Sequence, residues 1–145
     1  MTDEDRKLLL IDLCARLPYH VKVGFTKKDI SPKRIINYNV CTQDLETEDE
    51  IQTGTCVSRY IFTITDYRPY LRPMSSMTKE EEAELKRLGV DNLGSEGLFS
   101  WATEARYGDF WFRIEDWLLS HHFDYRDLIK KGLALEATEE MYKID

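Results

Sequence analysis

Residues 110–137, FWFRIEDWLLSHHFDYRDLIKKGLALEA, constrain the fold more than any other stretch. Phe110, Ile114, Trp117, Leu118 and His121 recur at intervals of three and four, which lines side chains along one face of a helix. Arg113, Glu115 and Asp116 fall on the other side. A helix with so bulky an apolar stripe needs a second layer to pack against. Another helix is predicted directly after it. Asp124 is its cap, with Asp127 as a shortened capping-box acid, and Phe123 and Leu128 occupy the two positions of a hydrophobic staple. Lys130 and Lys131 suit the negative end of its dipole, and Gly132 supplies the stop.

The chain before this stretch supplies the other layer. Residues 3–17 read as a helix capped by Thr2 or Asp3, with Leu9, Leu10, Leu13 and Leu17 on one face, Asp5, Lys7 and Asp12 elsewhere, and Pro18 ending it. The period then changes from 3.6 to 2. Val21, Val23 and Phe25 alternate with His20, Lys22 and Gly24, and Ile36, Tyr38 and Val40 alternate with Asn37 and Asn39. Residues 56–64 form the strongest strand pattern and, apolar on both faces, are predicted to be central. The polar run 26–33 reads as a turn and the acidic run 42–50 as an exposed hairpin loop. Short antiparallel strands in so little chain imply a small curled sheet. That count is compatible with closure into an SH3-like barrel and with a sheet covered by helices on one face.

Residues 67–77, YRPYLRPMSSM, read as an extended connector held open by two prolines. Thr78 and Glu81 form a capping box for a short charged helix that Gly89 stops. Residues 90–108 read as an ordered loop with one helical turn near 100–106. The expected architecture is therefore a single α+β domain over residues 1–145: helix 1–18, antiparallel strands 19–66, then connector and three helices over 67–145.

Composition narrows the functional classes. A net charge of −7 without a basic block disfavours non-specific duplex binding, which depends on neutralising phosphates. Cys14, Cys41 and Cys56 have no metal-ligand spacing and imply a reducing, cytoplasmic setting. The acidic start MTDEDRK is no signal peptide, and the run LLLI is far too short to span a bilayer.

His121, His122 and Asp124 are the one place where imidazoles and a carboxylate crowd together. Consecutive helical residues point about 100° apart, so two adjacent histidines are poor co-ligands for one metal. The expectation is one packed and one exposed histidine at a helix joint. Leu93 to Gly97 lacks the lysine and the strand-to-helix setting of a phosphate loop. The aromatics Trp101, Tyr107, Trp111 and Tyr125, with Arg106, Arg113 and Arg126 among them, are residue types that fill cores and also dominate binding hot spots.

Three stretches, LPYHVKV (17–23), PYLRPMSSMT (69–78) and DWLLSHHFDYRDLIKKGLALEA (116–137), together resemble a family of small proteins encoded by gut anaerobes, often within prophages and other mobile elements. The resemblance covers roughly a quarter of the chain. It implies a few strands leading through the connector into a closing helical segment, and an accessory role inside the cell. It carries over no activity, cofactor or catalytic residue.

The preferred reading is a non-enzymatic module that binds a protein partner. Its surface joins the connector to the histidine joint through Tyr70, Arg72, His121, His122, Tyr125 and Arg126, with no metal or cofactor. A nucleic-acid-associated module is the alternative, since small sheets can stack bases on aromatics. A hydrolase or metal enzyme built on His121, His122 and Asp124 is third.

Overall fold

The computed structural model of the protein describes residues 1–26, 31–39, 44–48, 59–63, 66–88 and 109–143. Its elements run α1 (Asp3–Arg16), a 3-10 turn (Leu17–Tyr19), β1 (Lys22–Phe25), β2 (Lys33–Asn39), β3 (Asp44–Glu48), β4 (Arg59–Thr63), β5 (Tyr67–Leu71), a second 3-10 turn (Met74–Ser76), α2 (Lys79–Arg87), α3 (Asp109–Ser120) and β6 (Leu135–Glu136). The fold is α+β.

Both predicted helix starts carry full capping boxes. Thr2 Oγ1 accepts from the Asp5 amide while the Asp5 carboxylate accepts from the Thr2 amide, and Thr78 and Glu81 repeat the arrangement on α2. On α3 the predicted stripe is buried through Ile114, Trp117 and Leu118.

The sheet departs from the expectation in three ways. Its strand order is β4-β3-β2-β1-β5-β6, with every pair antiparallel except β5–β6. Among the described residues β4 and β6 are its edges, so the sheet is open and mixed, and no barrel closes. The last strand comes from the C-terminal segment and adds beside β5, at the far side from β4. The strand predicted to be central, within 56–64, is therefore an edge strand.

Secondly, the acidic segment expected as a loop is β3, hydrogen-bonded between β2 and β4, with Thr47 fully buried. Asp44, Glu46 and Glu48 alternate in the sequence with Leu45 and Thr47, a period of two that suits a strand. Thirdly, the connector is largely β5. Tyr67, Pro69 and Leu71 alternate inward, and Pro69 sits opposite Val23 of β1.

A bulge between Ile35 and Asn37 also resets β2, so that Ile35 is buried and Asn37 exposed. The helix expected after Asp124 is absent. Residues 124–134 instead follow a chain of turns, because Asp127 adopts φ +57°, which no α-helix contains. Gly132, expected to stop that helix, takes φ +71° within the chain of turns. The loop at 90–108, with Trp101 and Tyr107, and the Trp111 side chain lie outside what the structure describes.

Two buried clusters result. The first packs Leu9 and Leu13 of α1 on Val21, Val23, Ile35, Tyr67 and Leu71 of the sheet, closed by Leu128, Leu133 and Ala134. The second gathers Leu85 of α2 with Ile114, Trp117, Leu118 and Phe123. The predicted staple partners Phe123 and Leu128 are both buried, but each belongs to a different cluster. The joint between them holds the two cores together.

On the sheet face away from α1, Gly24 is a seat for Tyr70 and Leu135. A Cβ built there lies 2.9 Å from the Tyr70 ring, the Tyr70 hydroxyl and Leu135 Cδ1. Gly24→Val is expected to cost about 1–3 kcal/mol by over-packing, measured as a lowered denaturation midpoint at unchanged slope.

Candidate functional site

The connector and the histidine joint, far apart in sequence, are adjacent in space. The Arg72 amide donates to the His122 carbonyl and the Asp124 amide donates to the Arg72 carbonyl, both at 2.8 Å, which makes a parallel bridge between Arg72 and Phe123. The Arg72 guanidinium lies 4.3 Å above the Phe123 ring and grips Glu81 with two bonds of 2.7 and 2.8 Å. Burial raises the Glu81 pKa, but the bonds from Arg72 and from the Thr78 amide outweigh it, so the carboxyl sits below its ordinary value.

The two histidines point to different neighbours. His121 stacks on the Trp117 indole at 4.1 Å, and its Nδ1 is 2.9 Å from the Trp117 carbonyl. A carbonyl only accepts, so that nitrogen carries the proton in this contact. His122 adopts φ +61°, is 8% exposed, and stacks at 3.8 Å on Tyr142. Burial first, and then the charges of Arg16, His121, Arg72 and Lys22, pull its pKa down to about 3. Here the packed histidine is His122, and His121 is half-buried.

Asp124 does cap, accepting from the Leu128 and Ile129 amides at 2.9 Å each, although the segment it caps is a turn. Burial lifts its pKa above the ordinary value despite those two bonds. His121, His122 and Asp124 thus face three separate environments. Among the described residues no three metal-ligating side chains gather.

Tyr125 and Arg126 turn inward to a buried ionic network. The Tyr125 hydroxyl donates to Glu115 at 2.6 Å, and burial followed by that bond pushes its pKa upward. Arg126 donates to Glu115 and to Asp12, each at 3.0 Å. Asp12 also receives Arg16 at 2.7 Å, and Arg16 donates onward to the Phe123 carbonyl at 2.8 Å. Asp12 and Arg16 are both fully buried, which corrects the expectation that Asp12 lies off the leucine face of α1. Residues 9, 12, 13 and 16 share one helical face, a spacing visible in sequence but concealed by the charges.

Tyr142 had no sequence signal beyond being one aromatic in a polar tail. Its hydroxyl accepts from the Lys22 amide at 2.9 Å and donates to the Tyr70 carbonyl at 2.8 Å, bridging β1 and β5 where they part. Burial raises its pKa, which keeps the proton it donates. Tyr142→Phe leaves an amide and a carbonyl unbridged, so a loss of about 1–3 kcal/mol is expected on chemical denaturation.

Beside Arg72 a cleft of about 470 Å³ opens, walled by Ser76, Thr78 and Glu81 on one side and Thr138, Tyr142 and Lys143 on the other. Arg72 and Lys143 are set against Glu81 and Glu139 around it, so its charges balance. Comparison with known proteins finds no family model, no curated protein and no solved structure that matches this chain. No helix among the described residues is long and apolar enough to cross a membrane.

Proposed function

We propose that this chain is a non-enzymatic interaction module, a cytoplasmic accessory protein of mobile-element origin, that binds a protein partner where the connector meets the histidine joint. The observation that carries this reading is the Arg72–Phe123 backbone bridge. It joins Arg72, which lines the cleft, to the backbone at His122 and Asp124; Tyr70, His121, Tyr125 and Arg126, each within three residues of the bridge in sequence, are taken as the rest of the surface. Arg72 and Arg126 are spent on Glu81, Glu115 and Asp12, so they shape the surface instead of offering free charge. The balanced cleft favours a polypeptide over a strongly anionic ligand, which would meet Glu81 and Glu139. The test compares capture by the wild type, by Thr138→Trp, which fills the cleft, and by Lys7→Glu on the exposed side of α1. A partner retained by Lys7→Glu and lost by Thr138→Trp supports the reading. A partner set unchanged by Thr138→Trp rejects it.

One observation favours the nucleic-acid reading: alternation and register place Lys22, Arg34, Arg68 and Tyr70 on the same sheet face, opposite the α1 core. Arg68 already donates to the Gly132 carbonyl and Arg34 is engaged as well, which leaves this reading second. A gel shift of single-stranded oligonucleotide at low salt that vanishes on adding salt would reverse the order.

A further inference from the structure

We propose that residues 137–143 form an acid-released strap, clasped to the sheet through Tyr142 and let go when His122 takes up a proton. The inference is independent of the partner-binding reading. Thr138, Glu139, Glu140 and Lys143 are exposed. Among the described residues, the hydrogen bonds that fasten this segment to the rest are the Ala137 amide to the Leu71 carbonyl and the two at the Tyr142 hydroxyl. A fourth, Met141 amide to Thr138 carbonyl, stays inside the strap. Fastening is therefore concentrated on one side chain, and segments held at so few points open locally without global unfolding.

That side chain covers His122. The rings stack at 3.8 Å with 18° between their planes, His122 is buried beneath, and its Nδ1 has no hydrogen-bond partner among the described residues. The groups whose charge bears on it most come from every neighbouring element: Arg16 from α1, Lys22 from β1, Arg72 from the end of β5, and His121 beside it. Tyr142, the group facing it from the strap, is neutral. An imidazolium in this position would be stripped of water and set among cations, so the clasped state requires the neutral ring. Lifting Tyr142 lets water reach the ring and relieves the desolvation that is the largest cause of its lowered basicity.

The sign follows from linkage. Clasped, His122 is held down to about 3; hydrated, it rises toward its ordinary value of 6.5. The clasped state is therefore fully favoured above about pH 6.5 and loses ground as pH falls toward about 3, with one proton taken up on release.

The Lys22 amide, which donates to the Tyr142 hydroxyl, reports the clasp directly. Native-state hydrogen exchange is followed at Lys22, with Leu13 in α1 as the reference for global opening, and rates are corrected for the intrinsic effect of pH. In the wild type the Lys22 opening constant is expected to rise about tenfold per pH unit below about 6.5, well above that of Leu13. In His122→Asn, where asparagine tolerates the left-handed backbone, the Lys22 constant is expected to be flat with pH. A wild-type Lys22 constant that ignores pH, or that equals the Leu13 constant throughout, overturns the proposal without any variant. An unchanged pH slope in His122→Asn overturns it too.

Discussion

Asp12→Ala is expected to destabilise the protein by about 3–5 kcal/mol, the cost of stranding a buried charge. Asp12 receives both Arg16 and Arg126, and neither Asp12 nor Arg16 has any exposed side-chain surface. Without Asp12, the Arg16 guanidinium keeps one bond, to the Phe123 carbonyl, and its Nη1 is already without a partner among the described residues. A charge left so poorly solvated is expensive inside a protein, where the compensating carboxylate cannot be replaced by water. Domains of this size have total stabilities of about 5–15 kcal/mol, so much of the population could unfold at physiological temperature. Equilibrium denaturation provides the measurement. Lys86→Ala, which breaks the exposed i,i+4 pair with Glu82, serves as the contrast and is expected to change stability by less than about 1 kcal/mol. If the two variants lose equal stability, burial of the network does not set its energy. Converting Asp12 and Arg16 together to apolar residues of similar size is expected to recover most of the loss, because it is the unpaired charge that is costly.

Why that network escaped the sequence is instructive. Leu9, Asp12, Leu13 and Arg16 have the spacing of a buried face, yet two charged residues at such positions ordinarily argue for water. Only the tertiary partners, Arg126 and the Phe123 carbonyl, make the burial tolerable, and nothing local announces them. β3 is the same lesson in a strand: charge weighed as loop, although the alternation of Leu45 and Thr47 was present. Conversely, the Thr2 cap, the Thr78–Glu81 capping box and the stripe on α3 were legible, since each is set by spacing within a few residues. The turn after Asp124 had every helix-start signal and still formed no helix. Asp124 accepts from the Leu128 and Ile129 amides, and the left-handed Asp127 lets Leu128 reach the α1 cluster while Phe123 reaches the α3 cluster. At the candidate surface, sequence identified the connector and the joint but assigned most of their polar groups to a partner. The structure spends Arg72, Tyr125 and Arg126 internally. Tyr142, which ties the region together, could not be found without knowing that β1 and β5 pair.

Phe123→Ala is expected to cost about 3–5 kcal/mol, as a large buried aromatic removed from a joint that cannot collapse inward. The ring is fully buried against Trp117, with centroids 5.7 Å apart, and it is the platform beneath Arg72. Its backbone is pinned at four points, by the Arg72 bridge on both flanks, by its own amide to the Leu118 carbonyl and by Arg16 at its carbonyl, so the cavity cannot be closed by moving the chain. The consequences extend beyond lost apolar contact. Arg72 would keep its Glu81 bonds but lose the surface that holds the pair in place, and α2, which buries only Leu85, would be held less firmly to the rest of the fold. Phe123→Leu separates the effects. It refills most of the volume, so the stability loss is expected to shrink to about 1–2 kcal/mol, while the cation–π contact stays absent. Amide exchange in α2 distinguishes the two contributions: if α2 protection falls in Phe123→Leu nearly as far as in Phe123→Ala, the Arg72 platform is what secures that helix. If protection returns with the volume, packing alone secures it.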